Sequence, residues 1–223
     1  WNKREYGIFD ILGPIMIGPS SSHTAGAAKL GKTSEEIYGD DFDKVDFYLH
    51  GSFAKTYKGH GTDKALVAGI LGMEPSSEKL KDSFIIAKEK GIEFNFYETD
   101  LGYEHPNTVK IVFHKDNKRD FYIIGSSIGG GSILITDING NKVELTGESP
   151  TLILEYPDKK GVISKVGTIL AYNNINIANM KVSRFDKNAT MIVETDNFMD
   201  KKILDEISAG EEIIYGNIIN PVR

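Results

Sequence analysis

Three of the five histidines in this chain stand in short polar clusters. His23 follows a run of hydroxyls in Gly18-Pro19-Ser20-Ser21-Ser22-His23-Thr24-Ala25. His60 lies in Gly59-His60-Gly61-Thr62-Asp63, and His105 in Glu104-His105-Pro106-Asn107-Thr108. An imidazole with its ordinary pKa of about 6.5 can take and return a proton at neutral pH. Glycines on both sides leave the His60 ring open to a substrate, so His60 is a candidate general base. Hydroxyls and free N–H groups at a helix start attract an anion, which makes Ser20, Ser21, Ser22, His23 and Thr24 a candidate cradle for a small polar molecule. Asn107, on a segment stiffened by Pro106, is a candidate reader of a carboxylate or an amine. Plainer alternatives stand beside each: an N-cap at Ser20–Ser22, a turn at His60 with Thr62 or Asp63 capping the next helix, and a strand-entry turn at His105.

Other patterns carry less. Gly26–Thr33 satisfies GxxxxGK[ST], but no strand precedes it and Ala27-Ala28-Lys29-Leu30 favours helix, against a phosphate loop. The histidine spacings fit no zinc template, and the chain has no cysteine to serve as thiol nucleophile, disulfide or cluster ligand. His50 and His114 lie on expected strands without polar companions and read as structural. Ser126-Ser127-Ile128-Gly129-Gly130-Gly131 allows close approach of a ligand or a backbone, or makes a wide turn.

The elements that must position these residues follow from periodicity. The 223 residues, 40% hydrophobic and 26% charged, are ordinary for one large or two small globular domains. A net charge of −6 disfavours nucleic acid. The lack of a membrane-length apolar run or a leader gives a cytoplasmic, non-membrane expectation. Helices are expected over Thr24–Tyr38, Thr62–Leu71 and Ser76–Lys90, and strands over Lys44–His50, Ile92–Glu98, Thr108–His114, Asp120–Ser127, Ser132–Ile138 and Lys142–Leu145. Asn139-Gly140 is a type I′ hairpin signal. Residues 1–18 read as strand and turn. Thr146–Pro150 is the boundary expected from its breakers. Beyond it the order is βαββαβ: Thr151–Tyr156, Gly161–Tyr172, Ile175–Arg184, Ala189–Thr195, Asp200–Ser208 and Glu212–Asn217, a ferredoxin-like pattern. The fold class is α+β, an N-terminal α+β domain with an antiparallel sheet followed by a ferredoxin-like domain.

The clusters from Gly18 to Thr24, Gly51-Ser52-Phe53-Ala54-Lys55-Thr56 with Gly59–Asp63, His105-Pro106-Asn107 and Ser127–Gly131 together resemble the beta chain of iron–sulfur L-serine dehydratases over nearly the whole sequence. Tyr156–Val162 and Asn174–Ile177 look like an ACT domain, an amino-acid-binding regulatory module. The N-terminal part is similar to the allosteric-substrate-binding type of domain found in some phosphoglycerate dehydrogenases. The resemblance implies domains at 1–146 and 151–223 joined by a linker at 147–150. It implies elimination of water from L-serine to give pyruvate and ammonia, with a [4Fe–4S] cluster held by a partner alpha chain and no metal held here. His60 would be the base, with His23 and His105 as further catalytic groups; Ser20, Ser21, Ser22, Thr24, Thr62 and Asn107 would bind substrate. Asp158, Gly161, Val162, Asn174, Asn176 and Asn179 would hold a regulatory amino acid at an interface between two ACT domains of a homodimer. A non-catalytic serine sensor controlling another enzyme is the alternative.

Overall fold

The computed structural model describes residues 22–210 and 212–221; the strand and turn expected over residues 1–18, and Ser20 and Ser21, lie outside them. The chain divides into two compact units between Asn139 and Gly140, one short strand ahead of Thr146–Pro150.

The first unit opens with α1 (Ala25–Tyr38). It continues through β1 (Lys44–Leu49), α2 (Gly51–His60), α3 (Thr62–Ile70), a 3-10 turn (Glu78–Asp82) and α4 (Ser83–Glu89). Four strands follow: β2 (Glu93–Glu98), β3 (Thr108–His114), β4 (Phe121–Gly129) and β5 (Ser132–Ile138). Their order in the sheet is β2-β1-β3-β4-β5. The pairs β1–β3, β3–β4 and β4–β5 are antiparallel, as expected, whereas β1–β2 is parallel. A parallel neighbour needs a long crossover, and the helical stretch between β1 and β2 supplies it.

Alternation along the strands separates the two faces of the sheet. Val45, Phe47 and Leu49 of β1 and Val109, Ile111 and Phe113 of β3 are buried. Tyr38 of α1 stacks on Phe113 at 4.8 Å, so this is the helix-covered face. Tyr38 also meets Phe121 near the start of β4, at 5.4 Å. A side chain added to Gly125 would meet Leu30. α1 therefore runs antiparallel to β4 and brings its own start toward Ser127.

Small residues in α1 let it lie directly against α3. A Cβ on Gly31 would stand 2.5 Å from the Leu66 carbonyl, and one on Gly69 would strike the Ala28 carbonyl. This contact answers the GxxxxGK[ST] pattern: Gly31 is a helix-packing residue inside α1, and Lys32 pairs with Glu36 and Glu74. Two further expectations change, and one helix is new. Gly51–His60 is a helix that its three-glycine composition, counting Gly61, concealed. The helix expected over Ser76–Lys90 is divided between the 3-10 turn and α4. His50 and His114 do have polar companions. His50 Nδ1 accepts the Leu101 N–H at 3.1 Å, and His114 lies between Asp46 (2.9 Å) and Asp120 (2.8 Å).

The second unit begins with β6 (Asn141–Leu145). Asn139 and Gly140 precede it with φ of 51° and 90°, the backbone of the expected type I′ turn. Then come β7 (Thr151–Pro157), α5 (Val162–Tyr172), β8 (Ile177–Phe185), β9 (Asn188–Thr195), α6 (Lys202–Ser208) and β10 (Tyr215–Ile219). The sheet order β10-β7-β9-β8 is antiparallel throughout, the ferredoxin-like arrangement. Val162, Val166 and Leu170 of α5 pack on Leu152, Leu154 and Met191.

The two kinds of glycine separate in a stability measurement. Gly69→Ala should cost about 1–3 kcal/mol by forcing α1 from α3. Gly167→Ala, inside α5 with open space around its Cα, should stabilise by roughly 0.5–1 kcal/mol. Urea unfolding of both variants checks the pair.

Candidate functional site

β1 passes into α2 through His50 and Gly51, and a loop from the far side of β3 caps the new helix. The first N–H groups of a helix have no internal partners. Here the Ser52 and Phe53 N–H groups both donate to the Pro106 carbonyl, at 2.7 and 3.3 Å. Gly51 has a φ of 60°, and a Cβ on it would stand 2.6 Å from the Pro106 oxygen, so only glycine fits. The capping loop holds itself in place. Thr108 Oγ1 donates to the His105 carbonyl at 2.6 Å, and the Asn107 N–H donates to His105 Nδ1 at 3.1 Å.

α2 carries Ser52 at one end and His60 at the other. Side chains on a helix lean toward its N-terminus, so the His60 ring leans back along the helix. His23, two residues ahead of α1, fits between the two. Its Nε2 lies 3.1 Å from Ser52 Oγ and its Nδ1 3.3 Å from Ser22 Oγ. Its ring stands edge-on to His60 at 4.9 Å and to Phe53 at 5.4 Å. His60 Nδ1 is buried and has no hydrogen-bond partner. Gly61, with φ of 72°, turns the chain into α3, where Thr62 is fully buried and its Oγ1 is likewise unpartnered. Asp63 beside it is half-buried, which pushes its carboxyl above the usual range. Burial, and next the neighbouring His60 charge, hold the His23 imidazole below its ordinary value. His23 is thus a neutral ring at neutral pH, able both to donate and to accept.

The structure brings His23, His60 and Thr62 into connected segments, with Ser22 bonded to His23. Thr24 is the N-cap of α1, although its side chain makes no cap bond. Asn107 sits in the loop that caps α2, and its Oδ1 is buried without a partner. His105 is exposed and turned to its own loop. Two residues were passed over as individual site members. Ser52 is the hydroxyl facing His23, and Ser127 is fully buried with an unpartnered Oγ. The signal for both was present in the motifs that contain them, a serine directly after a glycine at a helix start and a serine one residue ahead of a glycine run. Among the described residues no group of three or more His, Asp or Glu side chains is arranged to hold a metal.

In the second unit, Asp158 and Gly161 line a cavity of about 290 Å³ with Tyr156, Lys160, Val182 and Arg184. Arg184 Nε pairs with Asp158 at 3.2 Å. Val162 lies in the core. Asn174, in a left-handed conformation with φ of 57°, follows the far end of α5, about 16 Å from Gly161 for an eleven-residue helix. Asn176 donates to Asp196 at 2.6 Å and Asn179 to Glu194 at 3.2 Å. Of the six expected regulatory residues, Asp158 and Gly161 line the cavity.

Residues 7–137 match the family model of the serine dehydratase beta chain, and residues 151–209 that of the ACT domain. The L-serine dehydratase beta chain of Peptoniphilus asaccharolyticus is 47% identical, over 91% of this chain and 93% of its own length. The chain belongs to the serine dehydratase beta chain family. A probable L-serine dehydratase beta chain of Bacillus subtilis (strain 168) is 44% identical, over 93% and 94% of the two chains. D-3-phosphoglycerate dehydrogenase of the same organism is 28% identical, over 87% of this chain but 37% of its own length. Helix α2, capped by the Pro106 carbonyl, carries both Ser52 and His60 to the His23 ring. No helix of the described residues is long and apolar enough to cross a membrane.

The lowered His23 pKa has a definite sign. Between the folded and unfolded values the unfolded chain binds more protons, so stability is full above about pH 6.5 and is lost as pH falls toward the folded value. The His23 ring proton in an NMR titration should move with a midpoint below that of an unfolded peptide. His60→Gln, which removes the second cause, should raise that midpoint; an ordinary midpoint in the unaltered protein would refute the assignment.

Proposed function

We propose that this chain is the beta subunit of an L-serine dehydratase, an L-serine ammonia-lyase acting in the cytoplasm with a cluster-bearing alpha chain, and that its ACT domain provides amino-acid regulation. The observation that carries the reading is the buried, unpartnered Nδ1 of His60 beside the neutral His23 ring. Deprotonating the α-carbon of serine needs a base within reach of the proton and unengaged by the protein. His60 Nδ1 takes that proton. His23, its two ring nitrogens held by Ser52 and Ser22, packs edge-on against the His60 ring and keeps it in place. Ser20, Ser21, Ser22, Thr24 and Thr62 supply hydroxyls around the substrate. His105, exposed on the capping loop, completes the pocket from the side open to a partner.

A [4Fe–4S] cluster supplies Lewis acidity toward a serine hydroxyl and carboxylate. This chain offers it no thiolate, and among the described residues no His, Asp or Glu grouping replaces one. This composition is consistent with a cluster held by thiolates of the partner alpha chain. The cavity by Asp158 and Gly161, with the carboxylate and guanidinium it contains, suits an amino-acid zwitterion. Asn174 follows the opposite end of α5 from it, and a second copy of the chain, in a homodimer, would bring Asn174, Asn176 and Asn179 to it. The alternative, a non-catalytic serine sensor, needs affinity but no base.

One substitution separates the two readings. In the complex reconstituted with the alpha chain without air, His60→Ala should lower kcat about 10²–10⁴-fold with little change in the KM for L-serine. Normal turnover with altered activation by serine would favour the sensor. For the ACT domain, calorimetry of the full chain with L-serine should give a binding isotherm that Asp158→Ala abolishes; persistence of that isotherm in the variant would remove Asp158 from the effector site.

A further inference from the structure

Six buried side-chain polar atoms among the described residues have no hydrogen-bond partner. Ser34 Oγ lies inside α1 and Thr190 Oγ1 in the second unit. The other four belong to His60, Thr62, Asn107 and Ser127. A buried polar atom left unpaired is costly, and a fold that keeps four on segments leading to one end of a sheet needs a reason for them.

Two of the four are placed side by side. The Ser127 N–H donates to the Asn107 carbonyl at 2.9 Å, one step beyond the paired residues Thr108 and Ser126. Residues directly opposite on antiparallel strands project to the same face, with Cβ atoms about 5 Å apart. Thr108 and Ser126 use that proximity on one face, where their hydroxyls bond each other at 2.6 Å. Ser127 projects to the opposite face, the helix-covered one shared with Gly125, toward which the start of α1 runs. Asn107, in the turn whose carbonyl holds the Ser127 N–H, keeps its Oδ1 buried, and neither that atom nor Ser127 Oγ has a partner.

We propose that Asn107 Oδ1 and Ser127 Oγ together bind the α-ammonium group of the amino-acid substrate, an inference that rests on the serine dehydratase reading. Serine carries three polar groups. Its carboxylate only accepts, its hydroxyl does both, and its ammonium only donates. An amide oxygen accepts only, and a serine hydroxyl has two lone pairs to offer. The ammonium is the complement of that pair, and hydrogen bonds from a charged donor are among the stronger ones. A site of this kind selects amino acids over hydroxy acids, because a ligand without the amine leaves both oxygens unpaired in a dry pocket.

The test uses the reconstituted two-chain enzyme with L-serine as substrate. The competing ligand is 3-hydroxypropanoate, which keeps the carboxylate and hydroxyl but lacks the amine. Ser127→Ala should raise the KM for L-serine about tenfold or more, while inhibition by 3-hydroxypropanoate changes by less than about twofold. The same variant should melt no lower than the unaltered chain, because it removes an unpaired buried hydroxyl. Asn107→Asp should still bind L-serine, since a carboxylate also accepts from ammonium; a residue reading the substrate carboxylate would repel it instead. Equal losses for both ligands in Ser127→Ala, a lowered melting temperature, or loss of L-serine binding in Asn107→Asp would each overturn the inference alone. An unaltered complex that makes no pyruvate from L-serine would overturn the functional reading, and this inference with it.

Discussion

The Pro106 carbonyl, accepting two N–H groups from the start of α2, is the junction on which the site depends. It joins the end of β1, the start of β3 and the helix that carries Ser52 and His60. The close fit at Gly51 explains why a residue with positive φ is needed there. Ser52 is fixed by this junction and in turn faces His23, so the position of the His23 ring is set through a backbone contact that His23 itself does not make. The Gly31–Gly69 contact holds the other side, since it fixes α1 against α3 and so sets His23 relative to Thr62. Two close backbone approaches, each requiring glycine, therefore determine where the histidines meet.

The histidines also restrain each other electrically. Two imidazoles at 4.9 Å cannot both be charged cheaply in a partly dry site, because like charges at this separation oppose each other's protonation. The lowered value at His23 expresses this together with its burial.

Much of the fold was legible because period and turn chemistry agreed. The spans of β3 and β5 match their expected ranges, and Asn139-Gly140 turns as the dipeptide predicts. α2 was not legible. Its glycines at 51 and 59 and its few apolar residues argue against a helix, and only the Pro106 cap and the burial of Phe53 and Ala54 overcome that preference. The parallel placement of β2 was hidden for another reason: strand order depends on where a crossover packs, which local sequence does not encode. The motif histidines could be singled out by their polar company. Their partners could not, since Ser52 and Ser127 are ordinary serines until the sheet places them.

The unpaired oxygens and the His60 nitrogen connect stability to function. Each unsatisfied buried group costs about 1–3 kcal/mol, and a domain of this kind is stable by only about 5–15 kcal/mol in total. Thr108 and Ser126, one residue along, pair their hydroxyls, whereas Asn107 Oδ1 and Ser127 Oγ stay unpaired. Where both accept from a substrate ammonium, as proposed, the stability given up in the empty chain is recovered on binding. The cost makes the pocket discriminating. A ligand without matching donors leaves those already buried atoms unpaired and recovers nothing, so the cost carried by the empty chain becomes selectivity for a ligand that donates.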